Sequence, residues 1–211
     1  MSVMLREIGI DEAGRGPVIG SLFVAGVLNF EGLGVLGVRD SKKLSSKRRE
    51  QLAKLIENAT EVQVMELTAK EIDERRKSQS MNEITVDLFA RIIELLHPDR
   101  VYVDAADVNP ERFASNLRKK CNIRERDIEI ISEFKADENY PVVSAASIVA
   151  KVHRDKSIRE LATEIGAEIG SGYPADPRTI QFLNRLLKEQ KDNIPDCVRQ
   201  SWKTFERLCY K

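Results

Sequence analysis

Three short apolar runs in this chain lead into acids, and that arrangement limits the possible folds more than any other feature. Residues 3–10 are mostly apolar and run into Asp11-Glu12, residues 100–105 (RVYVDA) carry Asp104, and residues 128–134 (IEIISEF) lead to Asp137. Apolar runs of this length read as strands. Acids at strand ends stand where open α/β sheets gather their ligands. If these strands are neighbours, the four acids converge. Two carboxylates about 4 Å apart repel by about 4 kcal/mol at an effective dielectric near 20, so a cluster raises its own pKa values or binds cations. An all-oxygen donor set suits a hard ion such as Mg²⁺ and phosphate chemistry. Taken singly, each acid reads equally as a solvated strand end, and Asp107 or Glu138 could replace a neighbour in the cluster.

The rest of the chain supplies the frame. Residues 21–30 form a second apolar run, joined to the first by a Gly/Pro turn as in an antiparallel pair. Ser45 or Ser46 can cap a helix reaching about Asn58, and residues 60–67 alternate like a strand. Thr68 opens a short charged helix to about Arg76. Ser80 and Glu83 have capping-box spacing, and behind them Ile84, Leu88, Ile92, Leu95 and Leu96 recur at helical spacing until Pro98. Pro110 starts another helix, and residues 140–165 are an Ala-rich helical stretch. GSGYPADP (170–177) breaks the pattern. Asp176 then caps a helix to about Lys191, and residues 196–209 repeat a helical pattern. Strands first, then alternating strand and helix, then helices alone: this order predicts a mixed α/β sheet with a helical C-terminal appendage. The expected division is 1–172 and 173–211.

Composition narrows the function classes. The 211 residues are 42% hydrophobic, enough for a core, and 34 Lys/Arg balance 34 Asp/Glu. A zero net charge is unusual for a nucleic-acid binder unless the two signs separate along the chain. They do so here. Lys42, Lys43, Lys47, Arg48 and Arg49 put five cations into eight residues, and from Arg178 onward eight Lys/Arg face four Asp/Glu. Such runs read as solvated faces or as contacts to a phosphate backbone. Cys121, Cys197 and Cys209 show neither zinc spacing nor a disulfide framework, and fit a reducing cytoplasm. No apolar run approaches the roughly 18 residues needed to span a bilayer, so no membrane association is expected.

Gly14-Arg15-Gly16 follows the first acid pair. Glycines let a backbone approach a ligand closely, backbone N–H groups can hold a phosphate or sugar hydroxyl, and Arg15 can hold a phosphate oxygen. The same residues also suit a plain tight turn. Tyr173, in the 170–177 loop, can stack on a base or sugar or half bury its ring as an ordinary loop residue. Trp202 reads as a core anchor for the C-terminal helices, His97 as a helix-end residue and His153 as structural or solvated.

The blocks IGIDEAGRGPVIG, DSKKLS, VYVDAAD, KADENYPVVSAASIVAKVHRD, GSGYPADPRT and VRQSWKT resemble type 2 ribonuclease H in its archaeal form, in the family's order, from about residue 8 to residue 204. The resemblance implies a ribonuclease H-like α/β fold, with a five-stranded mixed sheet flanked by helices and a helical C-terminal region. It implies that Asp11, Glu12, Asp104 and Asp137 are catalytic and hold the metal, two Mg²⁺ or Mn²⁺ ions during catalysis. It implies that Gly14, Arg15 and Gly16 read the 2′-hydroxyl and backbone at an RNA–DNA junction, that Tyr173 stacks on the neighbouring deoxyribose, and that Lys42, Lys43, Ser147 and Lys151 contact the nucleic-acid backbone. Expected partners are RNA/DNA hybrids and DNA with embedded ribonucleotides, met by a monomer. The tail Phe205-Glu206-Arg207-Leu208-Cys209-Tyr210-Lys211 departs from the sliding-clamp peptide of some archaeal relatives, so clamp binding through it is not expected.

The implied reaction is two-metal hydrolysis 5′ to a ribonucleotide, leaving 3′-hydroxyl and 5′-phosphate ends. Two other readings compete. A non-catalytic reader of hybrids would not need all four acids. A nuclease for plain DNA branches or ends would not need the Gly-Arg-Gly and Tyr173 pairing.

Overall fold

The computed structural model of the protein describes residues 5–38, 44–121, 128–189 and 193–210. The elements are β1 (Glu7–Ala13), β2 (Leu22–Leu28), α1 (Ser46–Ala59), β3 (Val62–Leu67), α2 (Ala69–Arg76), α3 (Met81–Leu96), β4 (Arg100–Asp104), α4 (Pro110–Lys120), β5 (Glu129–Glu133), α5 (Ala136–Asn139), α6 (Pro141–Ile165), α7 (Pro177–Glu189) and α8 (Lys203–Cys209). The sheet order is β3-β2-β1-β4-β5. β1, β4 and β5 run parallel, with Ile10 beside Val103 and Asp104 beside Glu133. The end of β2 meets the start of β1 (Asn29 N–H to Glu7 O, 2.8 Å) and the start of β3 (Leu28 N–H to Glu61 O, 3.0 Å), the signature of antiparallel neighbours. The sheet is therefore mixed and five-stranded, as the resemblance implied.

Local chemistry explains the boundaries. Ser45 caps α1 by accepting the Arg48 N–H, and Thr68 and Glu71 form a reciprocal capping box on α2. Asn109 caps α4 ahead of Pro110. α3 ends at Leu96, and His97 turns the chain with a positive φ of 46° ahead of Pro98.

The chain forms two compact units. One comprises Met1–Ala13, Val24–Met65 and Met81–Val152, the other Gly14–Phe23, Glu66–Ser80 and His153–Lys211. In the first unit, Ala25 and Val27 of β2, Leu52, Ala53 and Ile56 of α1, and Val143, Ala146 and Ala150 of α6 share one core. α6 lies directly on β1: a Cβ at Gly9 would stand 2.4 Å from the Val142 carbonyl. Only glycine permits that approach, and it sets the height of α6 over the strand. α3 packs against β1 and α4, with Phe89 and Phe113 edge to face at 5.5 Å. In the second unit, Val18, Ile19, Ile158, Ile169, Phe182, Leu183, Val198 and Phe205 form a separate core.

Two local expectations need correction. β1 does not end at Asp11 and Glu12 but runs through them to Ala13. The C-terminal helical pattern holds only for Lys203–Cys209: Val198 forms a single antiparallel bridge to Ile19, with turns on both sides of it. α7 is described as far as Glu189, and its expected continuation to about Lys191 lies outside the described residues.

Candidate active site

The parallel register carries two acids to adjacent positions. One step beyond Ile10–Val103, Asp11 of β1 lies at the level of Asp104, the last residue of β4. Asp11 is 6% exposed. Burial comes first among the causes that push its carboxyl up to about 7, and the charge of Asp104 adds to it. The Ser147 hydroxyl, the Glu12 N–H (2.7 Å) and the charge of Lys151 act in the opposite direction. Ser147 is fully buried on α6 and accepts a hydrogen bond from Lys151 Nζ at 2.7 Å. Lys151, Ser147 and Asp11 therefore form a polar chain on the face of α6 that Gly9 brings close.

Asp104 accepts the Ala136 N–H at 3.1 Å. That bond ties the end of β4 to α5, whose first turn carries Asp137, 4% exposed. The turn into α5 passes through Lys135 at a φ of 55°. The structure thus brings Asp11, Asp104, Ser147 and Lys151 together and places Asp137 one residue from a direct bond to Asp104. Glu12 is half-buried. Adjacent strand positions point to opposite faces, so its neighbourhood in sequence does not by itself put it beside Asp11. Among the described residues, no three His, Cys, Asp or Glu side chains close a ready-made metal cage. The donor chemistry still fits a divalent cation. Mg²⁺ is commonly held by one or two carboxylates, with waters and substrate phosphates completing its shell, and the like-charged pair Asp11–Asp104 offers that.

The alternatives in the sequence are committed elsewhere. Asp107 is buried against Arg112, accepts the Asn109 N–H and the Asn82 amide (both 3.1 Å), and its carboxyl is held below the usual range chiefly by Arg112. Glu138 is exposed and 3.7 Å from Lys135.

In the second unit, Gly14 has a φ of 93°, and a Cβ there would stand 2.5 Å from the Ser21 carbonyl, so the position demands glycine. Arg15 is half-buried and Gly16 exposed. The Tyr173 ring lies 3.5 Å from where a Gly16 Cβ would be, and the Arg154 guanidinium sits 4.8 Å from that ring's centre. Gly16 and Tyr173 therefore lie side by side within this unit. Tyr173 is 38% exposed. Lys42 and Lys43 lie outside the described residues.

Sequence reasoning missed two arginines. Arg154 donates to the Ser171 carbonyl beside Tyr173. Arg199, fully buried, donates to the carbonyls of Gly14 (2.6 Å), Arg15 (3.0 Å) and Gly20 (2.9 Å). Trp202 covers that guanidinium at 4.8 Å and donates its indole N–H to the Gly16 carbonyl at 3.2 Å, so it does more than anchor helices. Both arginines stand inside blocks that carry the family resemblance, yet the sequence alone assigns neither a role. Neither periodicity nor charge count marks a buried arginine.

A five-stranded mixed sheet with carboxylates at the ends of its adjacent central strands defines an α/β enzyme of the ribonuclease H type, and the comparisons agree. The family model for ribonuclease HII matches residues 8–205. The chain is 53% identical over 209 residues to ribonuclease HII of Methanosarcina barkeri, covering 95% of this chain and 93% of that one. It is similar to the crystal structure of ribonuclease H2 from Pyrococcus horikoshii (TM-score 0.88, 41% identity, 98% of each chain). It is also similar to the ribonuclease HII solved in a PCNA complex from Archaeoglobus fulgidus (TM-score 0.86, 44% identity, 94% of this chain and 96% of that one). The chain belongs to the ribonuclease HII family and is a type 2 ribonuclease H, an endoribonuclease acting on RNA/DNA hybrids.

Proposed function

We propose that the chain hydrolyses the RNA-containing strand 5′ to a ribonucleotide, including a single ribonucleotide embedded in DNA, and leaves 3′-hydroxyl and 5′-phosphate ends. The observation that carries this is the buried Asp11 carboxyl, pushed up to about 7 by burial and by Asp104 at neighbouring strand ends. Such a site favours a cation. In this reading Asp11, Glu12, Asp104 and Asp137 hold two Mg²⁺ or Mn²⁺ ions. When bound, the ions supply charge neutralisation at the scissile phosphate and a water of lowered pKa.

Other residues position and select. Ser147 and the Glu12 N–H orient Asp11, and the Ala136 N–H orients Asp104. Lys151 stands where a phosphate oxygen would find a cation. Gly14, Arg15 and Gly16 read the 2′-hydroxyl and adjoining backbone, and Tyr173 stacks on the next deoxyribose. Lys42 and Lys43 add backbone contacts that are blind to sequence. The 2′-hydroxyl serves recognition, so it does not attack the phosphate. The catalytic stretch is 1–172, with 173–211 as a helical region.

The protein works as a monomer in the reducing cytoplasm that its three free cysteines suit; no helix among the described residues is long and apolar enough to cross a membrane. Clamp docking through the tail is not part of the reading, since Phe205 is buried in the core of its unit. The test is an end-labelled duplex carrying one ribonucleotide, incubated with Mg²⁺, with Mn²⁺ or with chelator, beside an all-DNA control. The expected result is one metal-dependent cut 5′ to the ribonucleotide with a 3′-hydroxyl end and an intact control. A 2′,3′-cyclic phosphate product would sink the mechanism.

A further inference from the structure

The second unit buries a full positive charge at Arg199, and among the described residues no carboxylate is bonded to it. Burial pushes its pKa down to about 10, and the charge of Asp73 only partly offsets that. Desolvating a guanidinium costs several kcal/mol, and apolar side chains of similar volume fill such space at least as well. A role in packing alone does not explain an arginine here. What the planar fork supplies, and an aliphatic chain cannot, is several donors in fixed directions.

Those donors converge on one stretch of backbone. Arg199 Nη2, Nη1 and Nε reach the carbonyls of Gly14, Arg15 and Gly20, and Trp202 Nε1 reaches that of Gly16. All three carbonyls of Gly14-Arg15-Gly16 are therefore held by side chains of one short segment. That segment is itself fixed. Val198 bridges Ile19, the Arg199 N–H donates to the Val18 carbonyl at 2.8 Å, and Asp73 accepts the N–H groups of Gln200 (2.6 Å) and Ser201 (3.1 Å). These bonds engage the loop's carbonyls on the protein side and hold its backbone to one course.

We propose that Arg199, seconded by Trp202, is a positioning residue that presets the Gly14–Gly16 loop for the ribonucleotide, acting on substrate discrimination and not on the chemical step. The proposal rests on the reading that this loop recognises the ribonucleotide. Preorganisation of this kind shows in binding of the correct substrate, because the free loop no longer has to be ordered on contact.

The test uses full-length protein with Arg199→Lys, which keeps the charge and loses the fork, and Trp202→Phe, which keeps a ring over the guanidinium and loses the donor to Gly16. Binding is measured in chelator on duplexes with and without one ribonucleotide, and kcat and KM are measured in Mg²⁺, with circular dichroism as a check on folding. Arg199→Lys should reduce the preference for the ribonucleotide duplex about tenfold, the size expected for lost hydrogen bonds to a charged group, and raise KM in step. Its kcat should stay within about threefold of wild type, since uniform binding is what is lost. Trp202→Phe should move the same quantities in the same direction by less, which keeps the test decisive if Arg199→Lys does not fold. Folded variants that retain the full preference, or that lose kcat at unchanged KM, would overturn the role given to Arg199. A wild-type protein with no preference for the ribonucleotide duplex would instead overturn the reading of the loop beneath it.

Discussion

The two ends of β1 treat a carboxylate in opposite ways. At its start, Glu7 meets Arg100 at 2.8 Å and accepts hydrogen bonds from Asn29 (3.0 Å) and Tyr102 (3.2 Å). Burial works against its charge there, yet these partners hold its pKa below the ordinary glutamate value. Four residues on, Asp11 is buried beside another acid, and its carboxyl is pushed up to about 7. A matched charge at the start of the central strand is construction. An under-compensated pair of like charges costs folding energy that a purely structural protein would have no reason to retain, and it marks the end of the sheet where a cation and a phosphate belong.

Three substitutions sharpen that contrast. The largest loss of stability should come from Gly9→Ala. A methyl group there would stand 2.4 Å from the Val142 carbonyl, and overpacking against backbone should cost about 3 kcal/mol. A denaturant melt checks this, and the Ser147–Lys151 pair should be displaced from Asp11. Asp11→Asn should act with the opposite sign in metal-free protein. The native carboxyl keeps its proton to about pH 7, whereas the unfolded one loses it near 3.8. Wild-type stability in chelator therefore falls as pH rises from about 4 to about 7, by on the order of 4 kcal/mol. The amide should flatten that slope, and a melt series from pH 4 to 8 reads it. Glu7→Gln should give the smallest change. Because the Glu7 pKa is lowered, its contribution is present above the ordinary glutamate value and lost as pH falls below it. The loss at neutral pH should be at most about 1 kcal/mol for so open a pair.

Much of this was legible in the chain itself. Strand order could not be read from the residues, but the acids at Asp11 and Asp104 could, because a strand followed by an acid is a local pattern. The capping residues Ser45, Thr68 and Asn109 were equally local. Asp137 was visible as an acid past a strand, while the αL turn at Lys135 that carries it into α5 was not. The roles of Ser147 and Gly9 escaped because both depend on the distance between α6 and β1, which no pattern along the chain encodes. Arg199 escaped because sequence reasoning assigns arginine to the surface, and only packing shows it fully buried. The non-helical course of 197–199 was hidden by its own helical periodicity, which long-range pairing with residues 18–20 overrides.

The most direct measurement compares one lost carboxylate at each end of the sheet. Asp104→Asn and Glu7→Gln, both confirmed as folded, are assayed on the single-ribonucleotide duplex in Mg²⁺. Asp104→Asn should lower the cleavage rate by about a thousandfold or more, since several kcal/mol of transition-state charge stabilisation depend on the acids that hold the ions. Glu7→Gln should leave the rate within about twofold, as expected for a charge outside the site. Comparable losses in the two variants, or cleavage that survives Asp104→Asn, would contradict the assignment of the chemistry to the carboxylate end of β1 and β4.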